Sequence, residues 1–374
     1  MRILSLSFLL IFFVSCAKLD YSVEDCSNCD LWGDDNRQEA YEVIDANIQK
    51  AIQATGVLRF LSDPVVDEND EVFLTFKQTL RDEYEVDGKK FCSDVRFVDQ
   101  PRLKSPCSGF LIAPDLFATT AHCIRDEITN NEDKSISCDD VHVAFGYEIQ
   151  SDGSFPTAVP KANFYSCESV VILDPESAPF RHTEDFALIR LDEPVHNRPF
   201  IDAIRWEKPT PGTEILNIGF PDGLPAKIAS GSVVENHYTD EYLEANRTYE
   251  WAPESELEKI DQFFSDKIFS NDITFQGNSG GPVLSSTTGE LLGVREDATF
   301  KIVEVEGEEA GTYEELPPEE SFYRYNSGWR DRCIEAIDCS KNDSILCINH
   351  IISGTLIKYK EEIEALWLDE SNED

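Results

Sequence analysis

The chain has 374 residues, with 73 Asp or Glu against 32 Lys or Arg and a formal charge of −41. That excess argues against nucleic acid and against contact of the protein body with anionic lipid, because both need clustered cations. It favours a solvated surface whose mutual repulsion is screened by salt.

In chain order, Met1-Arg2 precedes a largely apolar run from Ile3 to Val14. The run is too short for a membrane span and suits the core of a signal peptide. It ends in Phe13-Val14-Ser15-Cys16, which resembles a bacterial lipoprotein box, with Phe13 where leucine is usual. Ser15-Cys16-Ala17 would equally serve an ordinary signal peptidase, so lipidation at Cys16 and plain secretion both stay open. Residues 1–16 are expected to be the signal peptide, 17–32 a linker and 33–370 one domain. Helical period runs through Glu39 to Ala54, Glu254 to Phe264 and Leu356 to Trp367. Short apolar strand candidates are Val141 to Phe145, Phe186 to Leu191, Glu214 to Ile218 and Leu291 to Val294. Two polar insertions stand out, from about Thr239 to Asp272 and from about Phe300 to Cys347, the second with an acidic run from Glu304 to Glu320. Either would overhang a cleft or lie as a surface loop.

Three segments carry chemistry. Gln276-Gly277-Asn278-Ser279-Gly280-Gly281-Pro282 places a serine between glycines, where the backbone closes tightly around its hydroxyl. The amides of Gly277 and Ser279 would then point together at a developing oxyanion. Upstream lie Thr119-Thr120-Ala121-His122-Cys123 and Asp185-Phe186-Ala187-Leu188-Ile189-Arg190-Leu191. Taken singly, these would be a glycine-rich turn, a core histidine and the start of a buried strand. A nucleophile elbow would need acid and base after the serine, followed by a helix. Only His350 follows Ser279, and Pro282 to Ser286 reads as a strand. Histidine, aspartate and serine in that order match the order of the trypsin-like peptidases.

With these motifs the chain resembles the trypsin-like serine peptidases, and within them the bacterial glutamyl endopeptidase-like branch. Cys107-Ser108-Gly109-Phe110-Leu111-Ile112-Ala113-Pro114 is similar to the strand and turn before the histidine. Asn217-Ile218-Gly219-Phe220-Pro221 resembles the Gly-x-Pro turn that opens the second barrel. Gly33-Asp34-Asp35-Asn36-Arg37-Gln38-Glu39 is like the acidic-arginine segment ahead of the domain. The resemblance implies a mainly β fold of two six-stranded antiparallel β-barrels, about 50–200 and 205–355, a C-terminal helix about 355–368 and acidic insertions. It implies an exported serine endopeptidase acting through His122, Asp185 and Ser279, with Gly277 and Ser279 as the oxyanion hole. Protein or peptide substrates, a monomeric state and no cofactor go with it.

The departures matter as well. Asn278 replaces the aspartate that pairs with a freshly cut N-terminus in animal digestive enzymes, and no Ile-Val-Gly-Gly site appears. Ile273 stands where enzymes specific for basic residues carry aspartate. Thr274 matches a threonine of the glutamate pocket, while Arg295 falls near its histidine. Arg295 would either recognise an acidic side chain or be a solvent-facing strand residue paired with a carboxylate.

Setting Cys16 aside, ten cysteines remain, an even number that fits an oxidising compartment. The resemblance pairs Cys107 with Cys123, and Cys138 with Cys167 would make a local bridge. Cys26, Cys29, Cys92, Cys333, Cys339 and Cys347 have no assigned partners. No metal is expected: His142, His182, His196 and His237 lack ligand spacing, and the Asp67-Glu68-Asn69-Asp70 turn is not taken as a calcium site. The alternative to a peptidase is a catalytically latent lipoprotein that acts as a binding module. Such a module would keep its effect when Ser279 is replaced.

Overall fold

The computed structural model describes residues 35–60, 66–83, 95–104, 107–125, 138–174, 185–235, 265–275, 277–300, 327–330, 333–336 and 348–370. The signal segment, Cys16, the helix expected at 254–264 and the acidic run at 304–320 lie outside them. The strands that matter here are β1 (Gln38–Glu39), β2 (Thr55–Phe60), β3 (Cys107–Leu111), β4 (Leu116–Thr119), β5 (Val141–Phe145), β6 (Phe164–Leu173) and β7 (Ala187–Leu191). They continue with β8 (Glu214–Gly219), β9 (Lys227–Ser232), β10 (Lys267–Ser270), β11 (Pro282–Ser285), β12 (Leu291–Phe300) and β13 (Ile348–Gly354). The helices that matter here are α1 (Ala46–Ala54), α2 (Ala121–Arg125) and α3 (Lys360–Glu370).

Helix α1 begins later than its periodicity predicts. Asp45 supplies the cap, its Oδ1 accepting the N–H groups of Asn47 at 2.8 Å and Ile48 at 3.1 Å. Ala40–Glu42 ahead of it forms a 3-10 turn, in which the Glu42 carboxylate accepts the Glu39 N–H at 2.8 Å. The helix buries Ile48, Ala51, Ile52 and Ala54, then passes directly into β2 at the β-branched Thr55.

Strands β6, β7, β4, β3, β2 and β5 close, in that order, into a six-stranded barrel. All five residues of β5 are buried, so its sequence reads as a continuous apolar run rather than an alternation. Phe117 and Phe145 meet edge to face inside at 6.0 Å. Gly109 is required beside them, since a Cβ there would lie 2.2 Å from the Phe117 ring. Disulfides join Cys107 to Cys123, the pairing the resemblance implies, and Cys138 to Cys167, the expected local bridge.

The second half departs from a six-stranded barrel. It is a seven-stranded sheet in the order β1-β9-β8-β11-β12-β13-β10. The extra strand is β1, which pairs Gln38 with Ile228 and Glu39 with Lys227 on the outer side of β9. Past the end of β9 an isolated bridge, Val233 to Ser270, touches β10, supported by the Val234 N–H donating to the Phe269 carbonyl at 2.8 Å. After β13, a 3-10 turn at Ile357–Tyr359 precedes α3, which is why the helix starts later than the predicted Leu356. The Trp367 indole N–H donates to the Ile112 carbonyl at 3.1 Å and ties α3 to the first barrel. Among the described residues no helix is long and apolar enough to cross a membrane.

Candidate active site

Register brings the histidine and aspartate together. Strands β4 and β7 pair Ala187 with Thr119, so residues just before 187 lie beside those just after 119. Asp185 is thus placed against the first turn of α2. Its Oδ1 accepts the His122 backbone N–H at 2.8 Å, and its Oδ2 lies 2.6 Å from His122 Nδ1. The Asp185 side chain is buried, whereas the imidazole keeps about a third of its surface open at 29%. A buried carboxylate holding both the backbone and the ring fixes the imidazole's direction.

The serine loop is tied to the first barrel by Ser108 on β3. The Ser108 N–H donates to the Ser279 carbonyl at 2.8 Å, and the Ser108 hydroxyl donates to the Gly277 carbonyl at 2.7 Å. The Phe220 N–H donates in turn to Ser108 Oγ at 3.0 Å. One fully buried serine therefore couples both halves of the fold at the loop. Nothing in its residue type announces this; its place one residue after Cys107 is the only signal. Gly277 and Gly280 have φ of 98° and 85°, conformations that favour glycine. A Cβ on Gly280 would lie 2.1 Å from the Ser108 carbonyl oxygen. Among the described residues the amides of Gly277 and Ser279 have no hydrogen-bond acceptor. The Ser279 hydroxyl donates to the Glu296 carbonyl at a long 3.4 Å.

The N-terminal segment braces the same loop. The Arg37 guanidinium stacks over Phe275 at 4.4 Å and Phe97 at 4.8 Å, and it pairs with Asp35 at 2.8 Å. Glu39 pairs with the buried Lys227 at 2.9 Å. Burial pushes the Lys227 ammonium down to about 8, against the opposing pull of Glu39.

Cys107, His122 and Cys123 present ligand-type atoms within 4.8 Å of one another. The two sulfurs are joined as a disulfide, however, and a metal ligand must be a thiolate.

Residues 107–294 match the family model described as the trypsin-like peptidase domain. The chain belongs to this family. No curated protein matches it. Among solved structures it is similar to a serine endoprotease from Yersinia pestis at 15% identity and a TM-score of 0.35, covering 68% of this chain and 59% of that one. It is also similar to a Glu endopeptidase at 17% identity and a TM-score of 0.39, covering 72% and 87%. An inactivated protease paralogue of the scabies mite aligns at 13% identity and a TM-score of 0.41, covering 85% and 93%.

Within this trypsin-like domain the residues expected to line a specificity pocket are closed in. Ile273 has no exposed surface, and Thr274 Oγ1 accepts the Asn278 side-chain amide at 3.1 Å. Arg295 is 2% exposed and pairs with Asp272, which also accepts the Ser270 hydroxyl at 2.6 Å. Arg295 is therefore carboxylate-paired, as one of its two readings held, but buried rather than solvent-facing. The guanidinium is received inside by Asp272 and, at 3.5 Å, by the Ser270 hydroxyl at the end of β10.

The site also contains a pair that the sequence reading passed over. Glu296, next to Arg295, holds Lys267 at 2.6 Å, with both side chains almost fully buried. Burial pushes the Glu296 carboxyl up to about 7, against the pull of Lys267, and Asp185 and Asp174 push it the same way.

Proposed function

We propose that the protein is an exported serine endopeptidase in which Ser279 is the nucleophile, His122 its general base and Asp185 the residue that orients the base. The observation that carries this reading is the double hold of Asp185 on His122, at the backbone N–H and at Nδ1. With Nδ1–H facing a carboxylate, Nε2 is left with its lone pair, the tautomer that accepts a proton from a hydroxyl. The long contact of Ser279 Oγ to the Glu296 carbonyl costs little to give up, so the hydroxyl rotates to Nε2 as substrate arrives. Oγ then bonds to the peptide carbonyl carbon and its proton passes to His122. The carbonyl oxygen takes the negative charge between the Gly277 and Ser279 amides. Collapse expels the amine with the proton from His122, and water completes the cycle by the same route in reverse.

Export is supported by the signal-like residues 1–16 and by the two disulfides, which belong to an oxidising compartment. The test of activity is hydrolysis of a mixed-sequence peptide library by the purified protein and by Ser279→Ala. Cleavage that vanishes in the variant supports the reading; equal cleavage by both, or none by either, refutes it. The same library reports on Arg295. Faster cleavage after Glu than after Lys or Ala would mean that substrate competes with Asp272 for the guanidinium. Equal or reversed rates leave Arg295 a structural partner of Asp272.

A further inference from the structure

The amide of Gly277 is aimed by the turn in which it sits. The Phe275 carbonyl accepts the Asn278 N–H at 3.0 Å, closing a four-residue turn whose third member is Gly277 at a φ of 98°. A positive φ at the third position separates a type II turn from a type I turn, and the two point their middle amide in opposite directions. The middle amide here belongs to Gly277, one of the two donors assigned to the oxyanion. Whatever holds Phe275 therefore acts on the site.

Phe275 is held from outside the loop, by Arg37. The guanidinium lies over two rings, 4.4 Å from the Phe275 centroid and 4.8 Å from that of Phe97. Asp35 fixes its plane through two bonds, Nε to Oδ1 at 2.9 Å and Nη2 to Oδ2 at 2.8 Å. The second ring is braced as well. Phe97 has a φ of 65°, a left-handed conformation unusual for a bulky residue, and the cations of Arg96 and Lys227 lie over it at 4.5 and 4.9 Å. Arg37 reaches this place on the extra strand: Asn36 Nδ2 donates to the Ser230 carbonyl at 2.9 Å, and β1 pairs with β9 beyond it. Filling a gap between rings needs no charge, and an apolar chain would do so without a carboxylate to match. A planar cation clamped along its edge instead sets where the rings it faces can lie.

Resting on the peptidase reading, we propose that Arg37 is a positioning residue for the oxyanion loop. Its stack on Phe275 holds the 275–278 turn in the form that presents the Gly277 amide to the developing oxyanion. Arg37 touches no substrate in this scheme; it acts through Phe275. Competence of the site then depends on the docking of residues 35–39 on β9.

The experiment uses the purified full chain and compares the parent with Arg37→Met, Phe275→Leu and the double variant. Hydrogen exchange read by mass spectrometry reports the turn through the Asn278, Gly280 and Gly281 amides, which donate to the Phe275, Arg295 and Asn278 carbonyls. Arg37→Met should speed exchange in the 275–281 segment about tenfold, the scale of one desolvated cation–π contact, with β5 unchanged. Hydrolysis of a chromogenic peptide should lose about tenfold in kcat with KM nearly constant, because the oxyanion donors act only in the transition state. Phe275→Leu should lose as much, and the double variant no more than either single change. A role confined to anchoring residues 35–39 would speed exchange in β1 and β9 and leave 275–281 and kcat at parental values. Parental exchange at 275–281, a parental kcat in an active chain, or full additivity in the double variant overturns the proposal. If Arg37→Met does not fold, Arg37→Lys decides. It keeps a cation for Asp35 and loses the planar stack, so faster exchange at 275–281 supports the proposal and a parental rate overturns it. Exchange does not depend on catalysis, which separates the two claims. Faster exchange in Arg37→Met beside a parent that neither cleaves nor takes a fluorophosphonate removes the peptidase reading only. Parental exchange in that variant beside an active parent removes this inference only.

Discussion

Asp185→Asn is the change whose consequence the geometry fixes most tightly. Oδ1 accepts the His122 backbone N–H at 2.8 Å, and a backbone donor cannot reverse its role. The amide oxygen of asparagine must therefore take that position, which turns its NH2 group toward Nδ1, 2.6 Å away in the parent. Nδ1 then becomes the acceptor and the ring proton moves to Nε2, the wrong tautomer for taking a proton from Ser279. The shape of the site is preserved while its function is inverted. The expected loss is about 10⁴-fold in kcat, equivalent to about 5.5 kcal/mol of barrier. The assay is hydrolysis of a chromogenic peptide at neutral pH, beside thermal unfolding of both proteins. The Tm should shift by only a few degrees, since both hydrogen bonds persist. A loss below tenfold with an intact fold would refute the role given to Asp185.

Three further outcomes follow from the geometry. Gly280→Ala forces a Cβ to within 2.1 Å of the Ser108 carbonyl and 2.3 Å of Thr119 Oγ1 at a φ of 85°. Chemical denaturation should show a loss of about 3 kcal/mol or more. Replacing Cys138 and Cys167 together by alanine opens a link across a sequence separation of 29. That should cost about 3 kcal/mol of stability while sparing peptide hydrolysis by the folded fraction. Lys227 is held down to about 8 from its ordinary 10.5, chiefly by burial. The unfolded chain therefore binds more protons between those values, and the Lys227 contribution makes the protein more stable as pH rises from about 8 to 10.5. Urea midpoints should show this rise, about 3 kcal/mol at most, in the parent relative to a Lys227→Met/Glu39→Gln variant.

What the sequence revealed was chemistry that depends on residue type within a short local frame. The glycines around Ser279 are needed where φ is positive or a Cβ has no room, so their spacing alone marks the turn. Val141 to Phe145 was legible as a strand because every position is buried and apolar enough to pack, His142 excepted. What it concealed depends on register. Ser108 is an ordinary serine until β3 lies against the 277–279 loop. Glu296 and Lys267 are 29 positions apart in a chain rich in acids, and only the pairing of β12 and β10 with β13 makes them one buried unit. Arg295 leaves two readings open in the sequence, a residue that recognises an acidic side chain or a solvent-facing strand residue paired with a carboxylate; that its partner is the buried Asp272 depends on the fold bringing 272 and 295 together, which residue type does not announce. The seventh strand, β1, escaped notice because two residues carry no period.

The central claim is that Ser279 is an activated nucleophile. The most direct measurement is reaction of the purified protein with a fluorophosphonate, followed by mass spectrometry of the digested adduct, beside Ser279→Ala. The account predicts one phosphonyl group per chain, on Ser279, and none on the folded variant. An intact protein that stays unlabelled, or a label that persists in Ser279→Ala, would contradict it.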